Sequence, residues 1–297
     1  MPLEKNSLHK IYFYLISLMM MGSVPAMAQP QLTISPAEES LTPQIAAAPP
    51  NMTLEIGGKP VSGSIQLFNL SKAPVTLHTT VSNWDLDEKN NIRTIPPTPQ
   101  SMDLWTIVSP VDFTIEPGKT QTVRFSIRPR TKPSPGEHRV ILFFDQAPTD
   151  LVKDLGVKIL YRLGIPIYGL VDKIERAGEL HSIAMTEEKG WLNIAFDITS
   201  TGNANVRMDG QYVMWRKEDL PGRENPPMYI LTGKNVNTPN EAVAVGQVSS
   251  TPVMAGTRRM LHQKIQIPKE PGEYAVIIHG ILGDIEFKRI FATRVAP

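Results

Sequence analysis

The sequence predicts an all-β protein made of two antiparallel β-sandwiches in tandem. Short apolar runs with period-two alternation recur at regular spacing along the chain, the signature of many short strands. Proline and glycine together make 47 of 297 residues and are spread evenly, as they would be in the turns between such strands. No segment places its apolar residues three and four apart over the length of a helix.

The chain opens with Lys5 and Lys10 around the start of an apolar run, Ile11 to Met21, followed by Ala26-Met27-Ala28. That order reads as a secretory signal peptide, residues 1–28, with cleavage before Gln29. The run is too short for the ~20 apolar residues that span a bilayer, so no direct membrane insertion is expected. There is no cysteine, so neither a disulfide nor a lipidated thiol is available and the mature chain depends on its apolar cores. Removing residues 1–28 takes away two lysines and one glutamate and leaves 28 cationic against 28 anionic side chains. With no net charge there is no broad field to draw nucleic acid or an anionic membrane. The mature length suits two domains, 29–170 and 171–297.

In order, Gln31 to Ser35 reads as a first strand and Ala37 to Asn51, with Pro43, Pro49, Pro50 and three alanines, as a loose connection. Strands are then expected at Met52–Ile56, Gly63–Asn69, Val75–Trp84, Leu104–Val108, Phe113–Ile115, Gln121–Arg128 and His138–Phe144. Turn sequences such as Asn90-Asn91 and Glu116-Pro117-Gly118-Lys119 separate them. From Thr149 to Leu170 the odd positions Leu155, Val157, Ile159, Tyr161, Leu163, Ile165 and Ile167 are apolar, while Lys158 and Arg162 fall on the even face. This predicts one long strand leading into the second domain. There the expected strands are Asp172–Met185, Trp191–Thr199, Gln211–Lys217, Met228–Leu231, Ala242–Val248, Arg258–Ile267, Ala275–Ile281 and Ile285–Arg294, with turns at Glu188-Lys189-Gly190 and Thr201-Gly202-Asn203.

Residues that could carry chemistry are sparse. The mature histidines, His78, His138, His181, His262 and His279, have no metal-ligand spacing and there is no thiol for zinc, so no metal site and no cofactor are expected. Gly118-Lys119-Thr120 ends like a phosphate loop but lacks the upstream glycine and a following helix, so it is expected to be a turn. No nucleophile elbow is present. Asp85, Asp87 and Glu88 precede Asn90-Asn91 and read as the solvated end of a hairpin, without glycosidase or calcium-loop spacing. The reading is a binding module and not an enzyme.

Four stretches together carry a family resemblance: SIQLFNLSKAPVTL from Ser64, SPVDFTIEPGKTQTVRFSIRP from Ser109, PGEHRVILFF from Pro135 and VKILYRLGIPIYG from Val157. In this order they resemble the periplasmic pilus-assembly chaperones of the PapD-like family over about residues 60–170. In the second domain only TGNANVRMDG, from Thr201, is similar to a family turn region. The resemblance implies two immunoglobulin-like domains and a periplasmic, ATP-independent chaperone. Its partners would be secreted pilus or fimbrial subunits and an outer-membrane usher. It implies that Lys158 anchors the client's terminal carboxylate, as a lysine among apolar neighbours can. It also implies that Leu151, Leu155, Val157 and Ile159 face the client as a donated strand, and that Arg124 and Arg162 match family arginines, structural charges near the domain junction. The sequence departs from the family at two places: Leu32-Thr33-Ile34-Ser35-Pro36 lacks the first-strand arginine, and Lys153 interrupts the donated face. The alternative from a different class is a non-catalytic structural or surface-adhesion protein that keeps the scaffold without donating a strand.

Overall fold

The computed structural model describes residues 45–147, 160–227, 230–231, 234–235 and 242–296, all of which belong to one compact unit. The strands that follow one another are β1 (Ile45–Ala48), β2 (Met52–Glu55), β3 (Val61–Asn69), β4 (Val75–Ser82), β5 (Trp84–Leu86), β6 (Ile92–Thr94), β7 (Thr106–Ser109), β8 (Asp112–Ile115), β9 (Thr120–Ile127), β10 (Gly136–Gln146) and β11 (Arg162–Val171). After a link come β12 (Gly178–Glu188), β13 (Trp191–Ser200), β14 (Met208–Arg216), β15 (Ile230–Leu231), β16 (Lys234–Asn235), β17 (Ala244–Gln247), β18 (Arg258–Gln266), β19 (Gly272–Leu282) and β20 (Ile285–Val295). The chain is all-β, two immunoglobulin-like sandwiches in tandem, as expected.

The first sandwich faces a four-stranded sheet, β1-β3-β9-β7, against a five-stranded sheet, β2-β11-β10-β4-β8. Alternation decides what lies between them: Ile65 and Leu67 of β3 and Val123, Phe125 and Ile127 of β9 meet Val75, Leu77, Val140, Leu142, Phe144, Ile165 and Ile167 from the opposite sheet. The second sandwich packs β12-β13-β18 against β17-β14-β19-β20 over Leu192, Ile194, Phe196, Ile198, Leu261, Val276 and Ile278. At about 1.5–3 kcal/mol per fully buried large aliphatic or aromatic side chain, these two interiors supply most of the drive to fold.

Turn residues behave as their chemistry requires. Gly118 has φ +67 while the Lys119 N–H donates to the Glu116 carbonyl at 3.0 Å, which is a type II turn with glycine at its third position. The phosphate-loop look-alike is therefore a turn that carries the chain from β8 in one sheet to β9 in the other. Lys189 and Gly190, φ 49 and 83, form the two-residue connection between β12 and β13 with the left-handed pair that matches strand twist.

Four expectations are corrected. Ile45–Ala48 lies in the segment read as a loose connection, yet it pairs antiparallel with β3 from Asn69 to Gln66. Its bonds are backbone bonds, and three alanines advertise a strand weakly. Leu104–Val108 begins as a 3-10 turn, Met102–Trp105, because Met102 and Trp105, three apart, both plug the core. Val75–Trp84 is two strands in different sheets, broken at Asn83, whose side chain accepts from the Trp84 N–H at 3.0 Å. Asp172–Met185 starts as a strand only at Gly178, since Asp172 takes φ 56 and turns the chain. Of the long strand read from Thr149 to Leu170, residues 149–159 lie outside the described residues and Arg162 to Leu170 is strand, as expected. Residues 1–44 and 148–159, and with them the signal peptide and the first strand, lie outside the described residues.

Candidate functional site

The stretch that the sequence marks as functional enters the described structure at the start of β11. This strand pairs with β10 along its whole length, from Asp145 opposite Arg162 to Gly136 opposite Val171. On its other side it meets β2 in parallel only from Ile167 to Leu170. Arg162 to Ile165 therefore form an open edge among the described residues.

Hydrogen bonds settle which groups that edge presents. Gln146 N–H donates to the Tyr161 carbonyl at 3.0 Å, and Ile56 N–H donates to the Leu170 carbonyl at 2.7 Å. Odd residues thus point their backbone groups at β10 and even residues point theirs outward. The open edge offers the N–H and C=O of Arg162 and Gly164, while the Pro166 C=O faces β2, where the parallel ladder begins. This parity explains how proline sits in a core strand: its missing N–H falls on the side without a partner and removes nothing from the β10 ladder. Gly164 is needed on the outer face, where an added Cβ would come within 2.9 Å of Ile141 Cδ1 and 3.0 Å of Phe143 Cε1.

The residues expected to bind a client fall unevenly on this frame. Lys158, Leu151, Leu155, Val157 and Ile159, and also Lys153, lie outside the described residues. Arg162 is exposed at the first position of β11, ion-paired with Asp145 and with its guanidinium 5.0 Å from the Phe143 ring centroid. Asp145 raises its pKa further above the ordinary arginine value, by hydrogen bonding and by charge. Although the chain crosses to the second sandwich only after Val171, the Phe143 ring that Arg162 covers belongs to the apolar cluster that includes Met254 of the second sandwich. Arg124 is exposed in β9, between Ser64 of β3 and Ser109 of β7.

The groups that do sit between the sandwiches were not singled out. Glu137 of β10 has a side chain with 0% exposure; it accepts hydrogen bonds from the Asn205 side-chain amide and from the Asn205 N–H at 3.3 Å. Arg139 and Arg176 each lie 3.7 Å from it, and its own N–H donates to the Asn203 carbonyl at 2.9 Å. Arg207 donates to the Tyr168 hydroxyl at 3.1 Å and to the Ser250 carbonyl at 2.7 Å. Burial pushes the Tyr168 phenol above its ordinary pKa. Tyr168, Arg176, Asn205 and Arg207 also line a cavity of about 490 Å³, together with Asn51, Thr53 and Asp209. The one signal in the sequence was TGNANVRMDG, which contains Asn203, Asn205 and Arg207.

A second junction contact is apolar. Trp84, Leu86, Ile141, Phe143 and Tyr168 on the outer face of the five-stranded sheet enclose Met254 of the second sandwich. Beside it Arg259, 10% exposed, donates to the carbonyls of Leu86 and Asp87, both at 2.7 Å, and Asn90 donates to the Met260 carbonyl at 3.2 Å. The β5–β6 hairpin is thereby fastened to β18. Asp87, read as decorating a hairpin end, does that: its side chain accepts from Lys89 N–H at 2.9 Å and Asn91 N–H at 2.8 Å. The Asn91 N–H is the main cause that holds its carboxyl below the usual range.

Among the described residues no group of three or more His, Asp or Glu side chains is placed to hold a metal ion, and no helix is long and apolar enough to cross a membrane. What the arrangement offers chemically is a backbone edge for hydrogen bonding and a polar cleft between two sandwiches.

No family model and no curated protein matches the sequence. Among solved structures the chain is similar to the YadV chaperone, at 10% identity and TM-score 0.42, covering 85% of this chain and 100% of that one. It is similar to a chain of the SafA pilin–SafB chaperone complex of Salmonella enterica, at 11% identity and TM-score 0.40, covering 84% and 96%. It is also similar to a chain of the CsuC–CsuE chaperone–tip adhesion subunit complex from archaic Csu pili of Acinetobacter baumannii, at 15% identity and TM-score 0.41, covering 84% and 97%.

Proposed function

We propose that this protein is an ATP-independent, non-catalytic chaperone of the periplasm that binds secreted pilus-type subunits by strand addition and hands them to an outer-membrane usher. The observation that carries this reading is the open edge at Arg162 and Gly164, which an extended client segment can extend by backbone hydrogen bonds. That edge continues the stretch in which Leu151, Leu155, Val157 and Ile159 would face the client and Lys158 would take its terminal carboxylate. In this reading residues 1–28 are removed on export, and 29–170 and 171–297 act as two domains whose fixed junction sets the angle of the edge.

Co-purification of periplasmic subunits with the mature chain tests it. A charge-assisted contact of about 1.5–3 kcal/mol makes Lys158→Ala lower client affinity about ten- to over a hundredfold, with thermal melting unchanged. Lys153→Leu restores the apolar alternation and is expected to raise recovery. If both variants recover clients like the wild type, the carboxylate-anchored mechanism is wrong, and a cell-surface location would then support the adhesion module.

A further inference from the structure

At the end of the first sandwich beside the link lies a cavity of about 660 Å³, formed by the β2–β3 turn, the loop after β9 and the end of β11. Four cations line it, Lys59, Arg128, Arg130 and Lys132, against one carboxylate, Asp172. Among the described residues none of the four cationic side chains has a hydrogen-bond or ion-pair partner. Concentrating like charge around one concave space costs free energy that nothing in the fold returns, although the molecule as a whole is close to neutral.

The loop that carries three of these cations is held in place. Gln100 donates to the Lys132 carbonyl at 3.3 Å and accepts from the Ser134 N–H at 2.9 Å, and Thr131 donates to the Pro99 carbonyl at 3.3 Å. The His138 ring bridges the Gln100 and Ser134 carbonyls, 2.8 Å from each, and meets the Trp105 ring at a tilt of 48°, with centroids 5.1 Å apart. A pinned loop presents its charges with little ordering left to do on binding.

We infer that this cavity is a binding site for an acidic, extended polypeptide segment. A compact phosphate is normally taken by converging backbone N–H groups or buried cations. Here the cations are exposed and distributed, at alternate positions 128, 130 and 132 and on the facing turn. An extended chain carries side chains along one side at every second residue, so carboxylates at alternate positions can reach several of these cations at once. Ile56 and Val171, both 4% exposed, put an apolar floor under the space between the charges. The inference is independent of strand addition at β11.

The test is fluorescence anisotropy of a labelled peptide of alternating glutamate and valine, titrated with the full mature chain at low ionic strength. Saturable binding is expected, weakened at least about tenfold by the paired reversal Arg130→Glu and Lys132→Glu and progressively by salt. The control pair Lys264→Glu and Lys269→Glu changes net charge equally but sits on the second sandwich and is expected to leave the peptide bound. Thermal melting checks that each variant is folded, and Arg130→Gln with Lys132→Gln replaces the reversal if it is not. Absence of saturable binding, or equal weakening by the control pair, overturns the site. Capture of pyrophosphate or of phosphatidylglycerol vesicles in place of the peptide overturns the assignment to a polypeptide.

Discussion

Trp84→Ala is expected to lower stability by about 3–5 kcal/mol, the range for a buried aromatic truncated in a packed interior. The indole is 2% exposed, meets the Tyr168 ring edge-on at 5.9 Å and lies under the Arg139 guanidinium at 5.8 Å. Its loss empties the slot that holds Met254, so the damage reaches both sandwiches. Calorimetry is expected to show a lower first transition and a separation of the two sandwiches' melting. Trp84→Phe is expected to cost much less, because it keeps most of the ring surface and removes an indole N–H that has no hydrogen-bond partner. Equal losses for the two variants would mean that the slot is not filled as described.

Glu137→Ala is expected to cost about 3 kcal/mol, the lower end of the range for deleting one partner of a buried ion pair. The lower end applies because Arg139 and Arg176 keep 21% and 40% of their side chains exposed and can be resolvated by water. The Asn205 amide and N–H lose their acceptor together. Glu137→Gln keeps the shape and one acceptor oxygen and is expected to fall between the two. Chemical denaturation of each variant measures the difference. A stability change below about 1 kcal/mol for the alanine variant would show that the contact is an ordinary surface pair. If client binding needs the sandwiches at a set angle, recovery by Glu137→Ala is expected to fall even at temperatures where both sandwiches remain folded.

Strand after strand was legible in the sequence because period-two alternation is a local property, and the residues that show it, such as Ile65, Leu67, Ile165 and Ile167, are the ones that meet in the first core. The turns were legible for a similar reason, since Pro117-Gly118 and Lys189-Gly190 encode their own dihedral angles. The sequence also marked β10 as a strand, and its continuous apolar run, Val140 to Phe144, says that both faces are covered without saying by what. The cover proved to be the β5–β6 hairpin and Met254, over a hundred residues apart.

The candidate site divides along the same line. By itself the sequence determined an all-β chain, a strand whose odd residues enter a core, and the turn chemistry of the acidic cluster at Asp85–Glu88, because each depends on neighbours a few positions away. Only the tertiary structure decided that, among the described residues, the even backbone groups of Arg162 and Gly164 face no neighbouring strand, and that Glu137, Arg207 and Arg259 occupy the junction. Which edge of a strand stays unpaired, and which charge finds a buried partner, depends on segments brought together by packing, such as β2 beside β11 and Asn205 beside Glu137. Such pairings leave no period in the chain, because their distance along the sequence bears no relation to their distance in space.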